Sequence, residues 1–149
     1  MASVVIMRGL PGAGKSTWVR ENLPDAIICS ADSYFLSEEG EYVFDGAQLS
    51  DAHGACLRAF AKAVSALDCS DPSVIVVDNT GIKAWEISPY YNLARAYGHE
   101  VRIIHLECDC DIAHGRNIHG VPLERVEQMG ERLAREELPV FWNIEFLSS

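Results

Sequence analysis

Residues 9–17 read GLPGAGKST, and Gly9 to Ser16 fill the pattern G-x-x-x-x-G-K-[ST] without a mismatch. Glycine lets the backbone curl until successive N–H groups face inward, and a helix opening at Lys15 adds the positive end of its dipole. That is a cradle for phosphate. Gly12, Ala13 and Gly14 lend main-chain donors, and Lys15 reaches the β and γ phosphates of ATP or another nucleoside triphosphate. Ser16 offers a hydroxyl to Mg²⁺, and Thr17 bonds an α-phosphate oxygen. A glycine turn that merely joined strand to helix would need neither Lys15 nor Ser16 in register.

The pattern keeps this meaning only between a strand and a helix, and its flanks supply both. Ser3–Met7 is a short β-branched run, and Lys15–Leu23 reads as a helix stopped by Pro24. Further on, Ala26–Cys29, Val74–Val77 and Val101–Leu106 read as apolar strands. Helical spacing marks Ala47–Leu67, Glu86–Tyr97 closed by Gly98, Asp111–Asn117 capped by Asp111, and a last helix with Pro122 in its first turn that runs through Glu137. The segment Ser33–Gly46 is acidic and irregular. Apolar strands without polar alternation, separated by helices, predict an α/β fold: a parallel sheet covered on both faces. Ligands in such sheets sit beyond the carboxyl ends of the strands, so the residues just after each strand are the candidates for chemistry.

Composition bounds the rest. With 149 residues, 48% of them apolar, the chain builds one core, read as a single domain over residues 1–149. No apolar run approaches the roughly 18 residues of a membrane helix, and the opening MASVVIMRGL lacks a secretory pattern, so a cytoplasmic protein with no membrane partner is expected. Cys29, Cys56, Cys69, Cys108 and Cys110 are odd in number and scattered, as reduced thiols would be. Twelve Lys plus Arg against 22 Asp plus Glu give a net charge of -10, which excludes an extended basic groove for duplex nucleic acid. A polyanion can be held only locally.

Asp32 follows the second strand, across the cleft from the phosphate loop. There a carboxylate either accepts the proton of an attacking hydroxyl during phosphoryl transfer or, with Ser30, simply closes a turn. Asp78, Asn79 and Thr80 follow the third strand; they either orient Mg²⁺ and hold an acceptor group or end the strand in an Asx turn. On the last helix Leu123, Val126, Met129 and Leu133 share an apolar face, while Arg125 and Arg132, seven apart, point together to one side of it. With Arg116 they form a candidate cap over the triphosphate, and Arg135 fits a solvated face of Arg–Glu pairs. His105, Cys108, Cys110 and His114 lack a standard zinc spacing. Phe141, Trp142 and Phe146 either pack on adenine or close the core.

Taken together, GLPGAGKST, CSADSYF, GEYVFD, DAHGACLRAF, VDNTGIKAWEISPY and RNIHGVPLERVEQMGERL resemble the small P-loop kinases of the polynucleotide-kinase-like group, with AAA-type ATP binding, over nearly the whole chain. The resemblance implies a three-layer P-loop kinase fold with a C-terminal helical lid over about residues 111–137. It also implies ATP and Mg²⁺ as cofactors and a 5′-hydroxyl nucleic-acid end, single-stranded or overhanging, as acceptor. By the same resemblance Lys15, Ser16, Asp32 and Arg116 carry the chemistry. Two positions depart from it. Phage-type members place an arginine three residues after the base, where this chain has Phe35, and a second lid arginine where it has Ile118, His119 and Gly120. Arg125 or Arg132 is the expected substitute, and a nucleoside, sugar or other small alcohol is the alternative acceptor.

Overall fold

The computed structural model describes residues 2–68 and 70–148; Cys69 lies outside the described residues. In chain order the elements are β1 (Ala2–Arg8), α1 (Lys15–Asn22), β2 (Ile27–Cys29), α2 (Leu49–Ala66), β3 (Ile75–Val77), α3 (Ala84–Ala96), β4 (Glu100–Glu107), α4 (Cys110–Arg116), α5 (Leu123–Arg135) and β5 (Ile144–Ser148). Short 3₁₀ turns at Ala31–Phe35 and Gly46–Gln48 frame the acidic segment before α2. The strands form one five-stranded sheet in the order β2-β3-β1-β4-β5, every pair parallel.

Alternation along the central strands explains why they read as uniformly apolar. Val4 and Ile6 point to one face, where Ile75, Val77 and Ile103 meet Phe60 and Val64 of α2 and Ile87, Tyr90 and Ala94 of α3. Val5 and Met7 point to the other, where Val76, Ile104 and Leu106 meet Val19 of α1, Ala113 of α4 and Val126 of α5. Both faces are covered, as parallel strands require. No helix among the described residues is long and apolar enough to cross a membrane.

Most element ends shift by one or two residues from the sequence reading, and four differences bear on the local structure. β5 goes unread there: it is a short edge strand whose inner and outer residues are only partly buried. Asp109, not Asp111, caps α4, its side chain accepting the Asp111 N–H at 2.9 Å. Pro122 stands just outside α5 as its N-cap. Finally, α3 starts two residues early because the Glu86 carboxylate reaches back to accept the Lys83 N–H at 2.7 Å, one half of a capping box.

Candidate active site

The loop between β1 and α1 curls against the helix start. Gly14 takes a left-handed φ of 95° and leaves α1 with no side-chain cap, so the first helical N–H groups face into the loop. Lys15 Nζ donates to the carbonyls of Gly9 (2.9 Å) and Leu10 (2.7 Å). Burial lowers this ammonium to about 8, against the opposing pull of Asp78, Asp32 and the Cys108 thiol. At Gly12 a β-carbon would lie 2.0 Å from the Ala113 carbonyl oxygen, so α4 rests directly on the loop and only glycine fits between them.

Ser16, in the first turn of α1, and Asp78, just after β3, meet: Ser16 Oγ donates to Asp78 Oδ2 at 2.6 Å. A hydroxyl beside a largely buried carboxylate is a hard-oxygen pair that fits Mg²⁺, an ion that keeps waters and phosphate oxygens for its other ligands. Held there, such an ion would offset charge on phosphate oxygens. Asn79, expected to hold an acceptor group, makes contacts within the chain. Its Oδ1 accepts the Ala31 N–H at 2.9 Å and its Nδ2 donates to Cys56 Sγ at 3.5 Å, so both ends of the amide are engaged in tying β3 to the turn that carries Asp32. Thr80 contributes its carbonyl, which accepts the Gly9 N–H at 2.9 Å and joins this segment to the phosphate loop.

Arg8, the last residue of β1, was missed from sequence and does much of this joining. It is 2% exposed, and its guanidinium donates to the carbonyls of Gly81 (2.9 Å) and Ile82 (2.7 Å) and to His105 Nδ1 (2.8 Å). Arginine only donates, so His105 Nδ1 must accept and the ring is neutral with its hydrogen on Nε2. Burial, then the charges of Arg8 and Lys15, push His105 down to about 4. As pH falls from 6.5 towards 4, the unfolded imidazole gains a proton that the folded one refuses, and stability is lost across that window. The linkage is worth up to ~3 kcal/mol. His105→Asn keeps an acceptor without the titration, so urea unfolding at pH 7 and pH 4.5 should show a smaller acid loss in the variant. Equal losses would refute the role given to this ring.

Beyond β2, the acidic segment is a flap rather than an open loop. The Val43 N–H donates to the Phe35 carbonyl at 2.8 Å, and Leu36 pairs antiparallel with Tyr42. Phe35 is buried in the core, its ring 5.0 Å from Phe44, while Tyr34 and Phe44 stay exposed. Closing the flap returns Tyr42 to Asp32: the hydroxyl donates to Asp32 Oδ1 at 3.4 Å. Burial and the Asp32 charge push this phenol up to about 12, which keeps it a donor. From the lid side, His119 Nε2 lies 3.6 Å from Asp32 Oδ2, with its ring 4.4 Å from Tyr42. Tyr42 and His119 were both missed as partners of Asp32.

On the other flank of the phosphate loop a cleft of about 730 Å³ opens between β4, β5 and α5, lined by Leu10, His105, Cys108, Gly130, Leu133 and Phe146. Phe146 faces it with its ring 5.1 Å from His105, whereas Trp142 is buried against Tyr91 in the core and Phe141 is exposed. Arg116 ends α4 and Arg125 is exposed on α5. Arg132, expected in the triphosphate cap, pairs with Glu136 at 2.8 Å, while Glu136 also accepts the Ala84 N–H. Arg135 lies along α5 towards the Glu131 carbonyl.

Comparison with known proteins agrees with this architecture. A family model described as an AAA domain matches residues 4–135. The chain is 36% identical over 146 residues to NEDD4-binding protein 2 of Homo sapiens, a match that covers 89% of this chain but only 8% of that protein. A sugar kinase from Janibacter sp. superposes with a TM-score of 0.63 at 19% identity, covering 99% of this chain and 86% of the other. A chain of the Pnkp1/Rnl/Hen1 RNA repair complex superposes with a TM-score of 0.70 at 13% identity, over 89% of this chain and 44% of that one. At such identities the structural likeness is one of fold, an α/β P-loop kinase-like architecture.

Proposed function

The chain belongs to the AAA domain family, and on that premise we propose that it is an ATP-dependent phosphotransferase acting on the 5′-hydroxyl of a DNA or RNA end. The observation that carries this reading is a second carboxylate. Asp32 stands apart from the Ser16–Asp78 pair, yet close enough to Lys15 to act on its charge, with one oxygen held by Tyr42. Holding a nucleotide requires no such group, whereas transfer to a hydroxyl requires a base there. Lys15, Ser16 and Asp78 then serve the phosphates and Mg²⁺, Asp32 takes the proton of the attacking hydroxyl, and Arg116 reaches the phosphates from the lid. The cleft beside Phe146 has room for the nucleoside of ATP.

Exposed Tyr34 and Phe44 beside Asp32 support a nucleic-acid end, because any base offers a face to stack on an aromatic ring. The same flap supports a second acceptor class, a nucleoside, sugar or other small alcohol. Residues 30–48 hold Asp32, Glu38, Glu39, Glu41 and Asp45 but no Lys or Arg, and Phe35 is buried where phage-type enzymes carry arginine. Transfer of labelled γ-phosphate to 5′-hydroxyl oligonucleotides of increasing length, nucleosides and small alcohols separates the two. Single-stranded and overhanging ends should be best, with a shallow salt slope worth roughly one to three phosphate contacts. Equal labelling of a nucleoside without phosphate would transfer the assignment to the small-molecule class. Labelling of no alcohol at all would overturn the phosphotransferase reading.

A further inference from the structure

Between α4 and α5 runs a short strap, Asn117–Gly120, that bridges the two halves of the site. Its first residue touches the phosphate loop: the Asn117 backbone nitrogen lies 3.1 Å from where a β-carbon on Gly12 would stand. Two residues later His119 faces Asp32, with Nε2 3.6 Å from Oδ2. The strap is internally braced, since Asn117 Oδ1 accepts the His119 N–H at 2.9 Å. It therefore spans the gap between the place of the phosphoryl donor and the base that faces it.

Two of its side-chain atoms are anomalous. Asn117 Nδ2 and His119 Nδ1 are buried, and neither has a hydrogen-bond partner among the described residues. A buried polar atom without a partner is costly, and native chains rarely keep one that nothing ever satisfies. The third such atom, His99 Nδ1, lies in a ring whose other nitrogen meets the Val64 carbonyl at 3.2 Å, far from the phosphate loop in sequence. The pair on the strap is different in having Gly12 on one side and Asp32 on the other.

Resting on the phosphotransferase reading, we infer that Asn117 and His119 are contact residues for the phosphoryl group in transfer, their free nitrogens donating to its oxygens. The Asn117 amide is a donor as it stands. An imidazolium at His119 donates from both ring nitrogens, Nε2–H towards Asp32 and Nδ1–H on the other side of the ring. The strap thus supplies two nitrogen donors where phage-type relatives place a second lid arginine.

Substitutions that keep the fold but change one atom test this. Asn117→Asp retains the acceptor for the His119 N–H and removes the free donor. His119→Asn leaves an amide nitrogen near the place of Nδ1, whereas His119→Gln leaves one near Nε2 only. The readouts are the Kd of ADP, the Kd of a non-hydrolysable imido analogue of ATP, the rate of γ-phosphate transfer and the melting temperature. Asn117→Asp and His119→Gln should weaken the analogue about tenfold and transfer more than tenfold, with ADP affinity within twofold of wild type; His119→Asn should recover most of the analogue affinity. Parallel loss of ADP and analogue binding, or losses that track the melting temperature, would assign the strap a structural role and overturn the inference. Unchanged variants in an active wild type would overturn it too, leaving the phosphotransferase reading intact. A wild-type chain that binds neither nucleotide would remove both.

Discussion

Lys15→Ala should lose at least ~10³-fold in γ-phosphate transfer, about 4 kcal/mol of transition-state stabilisation. The ammonium is half-buried against the loop carbonyls, with Asp78 and Asp32 both within reach of its charge, and alanine removes that positive charge from the loop. A second arm tests the same group without mutation. In the free protein Lys15 holds its proton only up to about 8, because burial penalises the charged form. Bound phosphate favours the charged form, so above that pH nucleotide binding must take up a proton and Kd should rise by up to tenfold per pH unit. Titration calorimetry at pH 7, 8 and 9, in two buffers of different ionisation enthalpy, reads both the Kd and the proton. Lys15→Arg should flatten the profile. Wild-type turnover in the alanine variant, or affinity indifferent to pH, would refute the assignment of Lys15.

Asp32→Asn should keep nucleotide affinity and lower transfer by roughly two orders of magnitude or more. The substitution is nearly silent for the fold: an amide oxygen can still accept from Tyr42, and the backbone turn is held independently by Ser30 and Asn79. What it removes is the ability to take a proton. Single-turnover transfer measured beside equilibrium binding of ADP separates these effects. A matching loss of nucleotide binding would make Asp32 a metal or structural group.

The phosphate loop was legible because its information is local. Glycines, Lys15 and Ser16 act within one turn of chain, between a strand and a helix that short-range patterns also reveal. The apolar runs likewise marked four strands, and their ends pointed to Asp32 and Asp78. What could not be read depends on sheet order. Arg8 is a charge at the end of an apolar run until β3 and β4 are placed on either side of β1, when it gains Gly81, Ile82 and His105 as partners. The partners of Asn79 were hidden for the same reason: nothing local says that Ala31 and Cys56 are its neighbours. His119 and Tyr42 meet Asp32 from distant segments, and β5 was hidden by its place at the sheet edge, where five residues, two of them polar, show neither an unbroken apolar run nor a clean alternation.

The flap has a consequence for how such a domain is altered. Its neck is already fastened by the Phe35–Val43 hydrogen bond and the Leu36–Tyr42 pairing, and Gly40 turns the tip with a φ of 84°. Residues Glu38 to Gly40 therefore hang outside the fastened ring, in solvent. Doubling the length of that tip costs only about 0.6 kcal/mol of closure entropy and leaves Tyr42 and Asp32 where they are. The tip is a graft point, where foreign recognition sequence can be spliced in beside the reacting hydroxyl while the chemistry beneath it stays untouched.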